Sequence, residues 1–147
     1  MDNKFDALKL SNQLCFPLYV CSKEIVKRYK PFLDEIGLTY TQYITMMAMW
    51  EHEELSVKEL GELLFLDSGT LTPVLKTLEK KGFLSRRRSS EDERILVVTL
   101  TKSGADLKEQ AVEVPFKMQG CVSMKPEEAA ELYRILHSIM DGFDSSK

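Results

Sequence analysis

The sequence predicts a mainly α-helical fold that contains one small β-hairpin. Over most of the 147 residues, apolar side chains recur at every third or fourth position, which is the spacing of amphipathic helices. The period changes after Gly82, where residues 83–88 and 94–100 predict two strands joined by the polar turn 89–93. A chain of this length usually forms one domain, so we expect a single domain over residues 1–147.

Composition and charge restrict the classes of protein that fit. Hydrophobic residues make up 44% of the chain and charged residues 29%, which excludes a disordered, collagen-like or disulfide-dense protein. The uncharged segment over residues 38–50 is too short and too polar to span a bilayer. The first six residues lack the basic-then-apolar pattern of a signal peptide. We therefore expect a cytoplasmic protein with no membrane contact.

Start and stop signals define the first helices. Apolar residues from 8 to 36 share one helical face, and Pro31 is expected to kink or end this helix. Gly37 then closes the segment as a C-terminal cap. Thr39 and Ser56 each begin a capping box, with a glutamine or glutamate three residues later, and start two further helices.

Similar signals define the later helices. Asp67 and Thr101 are N-caps. Pro126 lies in the first turn of a helix and Pro115 lies inside one. They predict helices over residues 67–81 and 102–120, the second kinked at its proline, and a last helix that begins at residue 126.

This order of elements predicts a winged helix-turn-helix. Two helices joined by a tight connection and followed by a two-stranded ribbon are the parts of that fold, which binds DNA. We assign residues 39–102 to the DNA-binding lobe and residues 83–100 to its wing. Residues 1–36 and 103–147 carry heptad-like apolar stripes that the rest of the chain is too small to cover. They predict dimerisation helices and a homodimer.

The net charge of −3 conceals one strongly basic stretch. Residues 76–88 hold six basic residues and one acid, so six minus one gives a local charge of +5. The helix that leads into this stretch carries small or basic residues suited to the major groove: Ser68, Gly69, Thr70, Thr72, Pro73 and Lys76. A capped surface helix would look similar on its own, and the basic hairpin that follows favours DNA.

The motifs resemble one known family. The stretch DSGTLTPVLKTLEKKGFLSRRRSSEDERILVVTLTKSGADL, residues 67–107, resembles the MarR family of dimeric winged-helix regulators, including DER at 92–94 and LT-x-x-G at 100–104. Its organic-hydroperoxide-sensing (OhrR-type) branch is similar in QLCFPLY at 13–19, YKPFL at 29–33 and LTYTQY at 38–43. The resemblance covers nearly the whole chain and implies an intertwined homodimer that binds double-stranded operator DNA.

The resemblance also implies roles for residues of the wing. Arg94 would enter the minor groove, whose negative potential suits an arginine on a narrow wing, and Asp92 would position it. Arg86 would contact a phosphate at the base of the wing. One position departs from the family pattern, because the sensor branch often has a basic residue after Lys76 and this chain has Thr77. We therefore expect fewer charge contacts on that turn and a different operator preference.

Cys15 is the candidate redox sensor. Three tyrosines, Tyr19, Tyr29 and Tyr40, can donate hydrogen bonds to a thiolate, and such bonds favour the charged form. Tyr29 is about 21 Å from Cys15 along a continuous helix, so it cannot touch Cys15 of its own chain. The resemblance implies that the tyrosines at 29 and 40 come from the partner subunit. The alternative is a buried cysteine that only packs.

The other two cysteines have different expected roles. Some members of the resembled branch form a disulfide between subunits with a second, C-terminal cysteine, and Cys121 lies in about that region. Cys21 falls on roughly the opposite side of the helix from Cys15, and we interpret it as a packing residue. His52 and His137 are isolated, and we expect no metal, cofactor or catalytic set.

The sequence therefore predicts a DNA-binding repressor that releases its operator when an organic hydroperoxide oxidises Cys15. Two alternatives stay open. A regulator of the same fold can respond instead to a small aromatic or apolar ligand held between the dimer helices. A thiol peroxidase would consume peroxide with turnover, and the basic wing would then have no purpose.

Overall fold

Seven α-helices and a three-stranded sheet make up the described part of the chain, residues 3–144 of this computed structural model. In chain order the elements are α1 Cys15–Asp34, α2 Tyr40–His52, β1 Glu54–Ser56, α3 Val57–Leu64, α4 Ser68–Lys80, β2 Leu84–Arg88, β3 Leu96–Leu100, α5 Lys102–Ala111, α6 Glu113–Met118 and α7 Pro126–Asp144. Two short 3-10 helices, Lys4–Leu8 and Leu10–Asn12, precede α1. The predicted fold class, mainly helical with a small winged sheet, is confirmed.

Side-chain hydrogen bonds confirm the predicted helix starts. Thr39 and Ser56 each accept a hydrogen bond from the amide three residues later and complete a capping box. Asp67 and Thr101 each accept a hydrogen bond from the amide three residues later and cap α4 and α5, and Pro126 is the first residue of α7. These caps satisfy amide donors that a helix start otherwise leaves without partners.

The first helix is shorter than predicted. Regular helix begins at Cys15, and residues 4–12 form 3-10 turns where the sequence analysis expects helix from residue 8. Pro31 does not end α1, which continues to Asp34, because an internal proline removes a single amide donor. Gly37 follows with a φ of +70°, the left-handed conformation expected of a C-terminal glycine.

The segment predicted as one helix over residues 102–120 forms two. Helix α5 ends at Ala111 and α6 begins at Glu113. Pro115 has no amide hydrogen to donate to the Ala111 carbonyl, so the ladder of helical hydrogen bonds is interrupted at that point. The predicted kink is therefore a break, and Gly120, with a φ of +85°, turns the chain from α6 towards α7.

The sheet has the strand order β1–β3–β2. Strands β2 and β3 pair antiparallel, from Leu84 opposite Leu100 to Arg88 opposite Leu96, and form the predicted wing. Strand β1 is absent from the sequence prediction because three residues are too few to show alternation. It pairs antiparallel with β3, so the wing is attached to the connection between α2 and α3.

The core lies among α2, α3, α4 and the sheet. Its fully buried side chains include Met46, Met49, Leu60, Leu71, Leu75, Leu78, Leu84 and Val98. Burial of each such side chain contributes roughly 1.5–3 kcal/mol, so the apolar faces hold α3 and α4 in place. At Gly104 a Cβ would lie 2.2 Å from the Phe83 carbonyl oxygen. This close approach of α5 to the wing explains the glycine of the LT-x-x-G motif.

Both ends of the chain expose apolar side chains in the protomer. Leu8 is 80% exposed and Leu14 is 78% exposed. Helix α7 adds four further partly exposed residues, Leu132, Ile135, Ile139 and Phe143. Large apolar patches of this kind are typical of an interaction surface. Across residues 3–144, no helix combines the length and the apolar character needed to cross a membrane.

Candidate nucleic-acid interface and thiol site

Helix α4 buries one face and exposes the other. Leu71, Leu75 and Leu78 pack into the core, and none is more than 1% exposed. The predicted recognition residues lie on the outer side and at the helix start: Ser68, Gly69, Thr70, Pro73 and Lys76 are exposed, and Thr72 is half-buried. The leucine stripe thus orients α4 so that its small polar residues face solvent.

Asp67 fixes the start of α4. Its Oδ1 accepts a hydrogen bond of 2.8 Å from the Thr70 amide. The same hydrogen bond lowers the pKa of Asp67, so its carboxylate is charged at neutral pH. The hydroxyls of Ser68 and Thr70 lie at this capped helix start, where they can contact a base edge or a phosphate.

Thr77, the residue that departs from the family pattern, makes a contact within its own helix. Its Oγ1 donates a hydrogen bond of 3.0 Å to the Pro73 carbonyl one turn earlier. The Thr77 hydroxyl therefore already has a hydrogen-bond partner. Of Lys76 and Thr77, the exposed Lys76 is the charged residue. The expectation of fewer charge contacts with DNA on this turn of α4 stays a prediction.

Arg86 joins the wing to the recognition helix. Its backbone amide donates to Glu79 Oε2 at 3.1 Å, and its guanidinium Nη2 donates to Glu79 Oε1 at 3.0 Å. The Arg86 side chain is only 18% exposed, and its hydrogen bonds lower the pKa of Glu79. The predicted phosphate contact of Arg86 stays a prediction. The sequence analysis missed Glu79, although this residue is the one acid in the basic stretch 76–88.

Arg94 lies at the tip of the wing and contacts Asp92. Arg94 Nε donates to Asp92 Oδ1 and Nη2 donates to Oδ2, each at 3.0 Å. These hydrogen bonds lower the pKa of Asp92 and raise that of Arg94, so both groups stay charged at neutral pH. The Arg94 side chain is 90% exposed. The turn therefore presents a preoriented positive group to solvent.

Cys15 is the first residue of α1 and is exposed. The N-cap residue before it, Leu14, has no polar side chain with which to cap the helix. The first-turn amides and the helix dipole therefore place partial positive charge beside the sulfur. The exposed thiol is accessible to oxidants from solution.

Three tyrosines form a cluster where α1 meets α2. The ring centroids of Tyr29 and Tyr40 are 5.1 Å apart, and those of Tyr29 and Tyr43 are 5.8 Å apart. Burial raises the pKa of all three phenols, to about 12 for Tyr43. The phenols are therefore neutral at physiological pH and can donate hydrogen bonds. Tyr43 was not predicted from the sequence as a site residue. Its place in the LTYTQY motif was the signal that could have identified it.

The structure does not bring Cys15 and this tyrosine cluster together within one chain. Helix α1 continues from Cys15 past Tyr29, a distance of about 21 Å at 1.5 Å per residue. Tyr19 is nearer to Cys15, one turn further along α1, and is exposed, with the Lys23 ammonium 5.6 Å from its ring centroid. Contact between Cys15 and Tyr29 therefore requires a second chain.

Cys121 lies between α6 and α7, and its Sγ donates a hydrogen bond of 3.5 Å to the Lys117 carbonyl. It lines a cleft of about 260 Å³ together with Cys21 of α1. Cys21 is exposed in the protomer, so its interpretation as a packing residue does not hold within one chain. No group of three potential metal ligands occurs among residues 3–144.

The described surface defines a class of protein. An exposed helix held by a buried leucine face, with an arginine-tipped wing beside it, makes up a winged helix-turn-helix DNA-binding unit. The hydroxyls of α4 and the guanidinium of Arg94 are groups that base edges and phosphates bind.

Comparison with known proteins agrees with this class. Residues 27–111 match the family model described as transcriptional regulator SarA/Rot. The chain is 49% identical over 141 residues to the organic hydroperoxide resistance transcriptional regulator of Bacillus subtilis, and the match covers 96% of each protein. The chain belongs to the MarR family of winged-helix transcriptional regulators, in its organic-hydroperoxide branch. It is accordingly a regulator and not an enzyme.

Solved structures of AbfR, a Staphylococcus epidermidis protein, share the fold. Reduced AbfR bound to DNA matches with a TM-score of 0.81 and 31% identity, over 97% of this chain and 98% of that one. Overoxidised AbfR bound to DNA has a TM-score of 0.78 and 33% identity, over 96% and 99%. Disulfide-formed AbfR has a TM-score of 0.65 and 34% identity, over 93% and 96%. The chain is therefore more similar in conformation to the two DNA-bound forms.

Proposed function

We propose that this protein is a homodimeric repressor that binds operator DNA and releases it when an organic hydroperoxide oxidises Cys15. The observation that carries the proposal is the exposed position of Cys15 at the start of α1, in a chain whose Bacillus subtilis relative is named for organic hydroperoxide resistance. A cysteine thiol that solvent can reach is the group that peroxides oxidise. Because operator DNA is the partner, we assign the protein to the cytoplasm.

On DNA, we expect α4 of each subunit to enter the major groove. The hydroxyls of Ser68, Thr70 and Thr72 would contact base edges or phosphates, and Lys76 would contact a phosphate. Arg94, exposed at the wing tip, would enter the adjacent minor groove. The DNA-bound forms of AbfR, which share this fold, support DNA as the partner.

In the dimer, a second copy would cover the apolar ends of the chain. We assign residues 1–36 and 103–147 to dimerisation and residues 39–102 to DNA binding. Residues 1–2 and 145–147 of these ranges lie outside the described part of the chain. The exposed apolar side chains of α7 support the assignment, because water otherwise covers them. A two-fold dimer would present two recognition helices to half-sites about 34–36 Å apart.

The sensor would be completed across the dimer. We infer that the phenols of Tyr29 and Tyr40 donate hydrogen bonds to the Cys15 thiolate of the other subunit. The raised pKa values support this role, because each phenol keeps the proton that it donates. Tyr19, exposed one turn after Cys15, would add a contact from the same chain.

Oxidation would proceed in two balanced steps. The Cys15 thiolate attacks the terminal oxygen of the hydroperoxide, the oxygen–oxygen bond breaks and Cys15 becomes a sulfenic acid. The alkoxide that leaves takes a proton from water and is released as the alcohol. The Cys121 thiol of the other subunit then attacks the sulfenic sulfur, which forms an intersubunit disulfide and releases water. The overoxidised form of AbfR is bound to DNA, whereas the disulfide-formed AbfR matches this chain less well. This comparison supports the disulfide as the step that causes release.

Operator binding before and after oxidation tests the proposal. Protein bound to a labelled DNA fragment from upstream of its own gene is treated with cumene hydroperoxide, and fluorescence anisotropy follows the bound fraction. We expect binding to be lost after oxidation and to return after treatment with dithiothreitol. Binding that is unchanged by the hydroperoxide would contradict the proposal, and release by a small aromatic ligand alone would favour the ligand-switched alternative.

A further inference from the structure

Two cysteines of one chain lie on the same cleft. Cys21 of α1 and Cys121 of the connection between α6 and α7 both line a cleft of about 260 Å³, together with Val20 and Ile25. Cys21 is exposed and Cys121 is half-buried, so both sulfurs lie near the surface. The proposed sensor uses Cys15 and Cys121 and assigns nothing to Cys21.

Cys21 cannot pair with Cys15 of its own chain. Both residues belong to the regular helix α1, six positions apart, which separates them by about 9 Å along the axis and about 120° around it. A disulfide needs Cα atoms within about 7 Å and side chains that point towards each other. The cleft therefore leaves Cys121 as the same-chain partner of Cys21.

The backbone at Cys121 does not belong to a helix. Residues 119–125 lie outside both α6 and α7, and Gly120 directly before Cys121 has a φ of +85°. The Sγ of Cys121 makes one weak hydrogen bond, to the Lys117 carbonyl. The Cys121 amide also donates a hydrogen bond to the Met118 carbonyl. A segment outside a helix can move more readily than one within it, which lets Cys121 approach Cys21.

We propose that Cys21 is a second resolving thiol, which moves the disulfide from the sensor into the cleft. This step rests on the proposed function. The Cys21 thiolate attacks the Cys121 sulfur of the intersubunit disulfide, and the sulfur–sulfur bond to Cys15 breaks. Cys15 leaves as a thiolate with the electron pair, and a Cys21–Cys121 disulfide remains within one chain. No further oxidant is consumed, because one disulfide is exchanged for another.

The relay has a consequence for the oxidised protein. The covalent dimer becomes an intermediate, and the final product is a dimer without an intersubunit disulfide. Cys15 returns to its reduced form and can react with a second molecule of hydroperoxide. Without Cys21, the intersubunit disulfide is the final product, and Cys15 stays oxidised until an external thiol reduces it.

The first experiment tests the cleft pair without the sensor. Cys15→Ser protein is oxidised with diamide, which takes two electrons and two protons from a pair of thiols, and its peptides are mapped without reduction. We expect a Cys21–Cys121 linked peptide from a chain that migrates as a monomer on a non-reducing gel. The Cys15→Ser/Cys21→Ser protein is the control and should lack that peptide. Absence of the linked peptide from Cys15→Ser protein would overturn the relay whether or not Cys15 is the sensor.

The second experiment tests the exchange. Wild-type and Cys21→Ser proteins receive one equivalent of cumene hydroperoxide, and samples are blocked with N-ethylmaleimide over time. We expect the covalent dimer to form and then disappear in wild type, with gain of the Cys21–Cys121 peptide, and to persist in Cys21→Ser. Equal decay in both proteins would overturn the relay and leave the sensor intact. Failure of Cys21→Ser to form any covalent dimer would overturn the proposed disulfide and the relay with it.

Discussion

Glu79 of the recognition helix accepts three hydrogen bonds from Arg86 of the wing, one from the backbone amide and two from the guanidinium, at 3.0–3.3 Å. This contact joins the two elements that the proposed function brings to adjacent grooves of DNA. The Arg86 side chain is largely buried and pairs with Glu79 of α4. We therefore expect Arg86 to act mainly by holding the wing in position against this helix. The wing and the helix would therefore move on DNA as one unit.

The contact between Glu79 and Arg86 predicts a change in DNA affinity that is opposite to the change expected from charge alone. Glu79→Ala removes a negative charge from a basic surface, and charge alone would strengthen binding to phosphates. We expect the opposite, a loss on the order of 1 kcal/mol or about fivefold in affinity, because the freed wing must be ordered again on DNA. Anisotropy titrations at one fixed salt concentration measure the change.

Glu93→Ala is the matched control, because it removes an exposed acid from the wing turn without touching the contact with Arg86. We expect this variant to bind DNA as tightly as wild type or more tightly. Tighter binding by Glu79→Ala as well would show that Glu79 acts only through its charge.

Arg94→Ala should weaken operator binding by roughly 1–3 kcal/mol, because a minor-groove arginine combines charge with recognition of groove shape. Lys117→Ala removes the same charge from α6, where Lys117 pairs with Glu35. This control should bind almost as tightly as wild type in the same titration. An equal loss of affinity in both variants would show that the wing tip has no specific role.

A charge on the apolar face of α7 should separate the proposed dimer. Ile139→Asp places a carboxylate where the partner subunit would bury it, and an unpaired buried charge costs several kcal/mol. Ser138→Asp adds the same charge one position away, off the apolar stripe, and is the control. Light scattering at micromolar concentration should find monomer for Ile139→Asp and dimer for Ser138→Asp. A stable dimer of Ile139→Asp would remove α7 from the interface.

The pKa of Tyr43 predicts a dependence of stability on alkaline pH. Burial raises this pKa to about 12, whereas the unfolded chain has a tyrosine pKa of about 10. A raised folded-state pKa contributes stability that is fully present below about pH 10 and is lost as pH rises towards 12. Tyr43→Phe lacks this titration, so its free energy of unfolding should fall less steeply in urea titrations across that window. Parallel curves for the two proteins would contradict the assignment.

Local signals accounted for much of the fold. The caps at Thr39, Ser56, Asp67 and Thr101 involve residues three positions apart, and a sequence pattern shows such neighbours directly. Strand β1 exists only because β3 pairs with it, and three residues carry no pattern of their own. The first helix was predicted too long because 3-10 turns and α-helix share similar apolar spacing over short stretches.

The candidate site likewise contains contacts between sequence neighbours and contacts between separate elements. Asp92 and Arg94 are two positions apart, and their contact is one that a local motif can indicate. Glu79 and Arg86 lie on different elements, and their contact depends on how α4 packs against β2. The shared cleft of Cys21 and Cys121 depends on the return of the chain to α1 after α6, which no local pattern indicates.

The response of Cys15→Ser to organic hydroperoxide shows whether this thiol is the sensor. Wild-type and Cys15→Ser proteins, matched for affinity before treatment, are titrated with cumene hydroperoxide while bound to the labelled operator fragment. We expect wild type to be released and Cys15→Ser to stay bound over the same range of hydroperoxide. Release of Cys15→Ser with the dose dependence of wild type would contradict the sensor assignment.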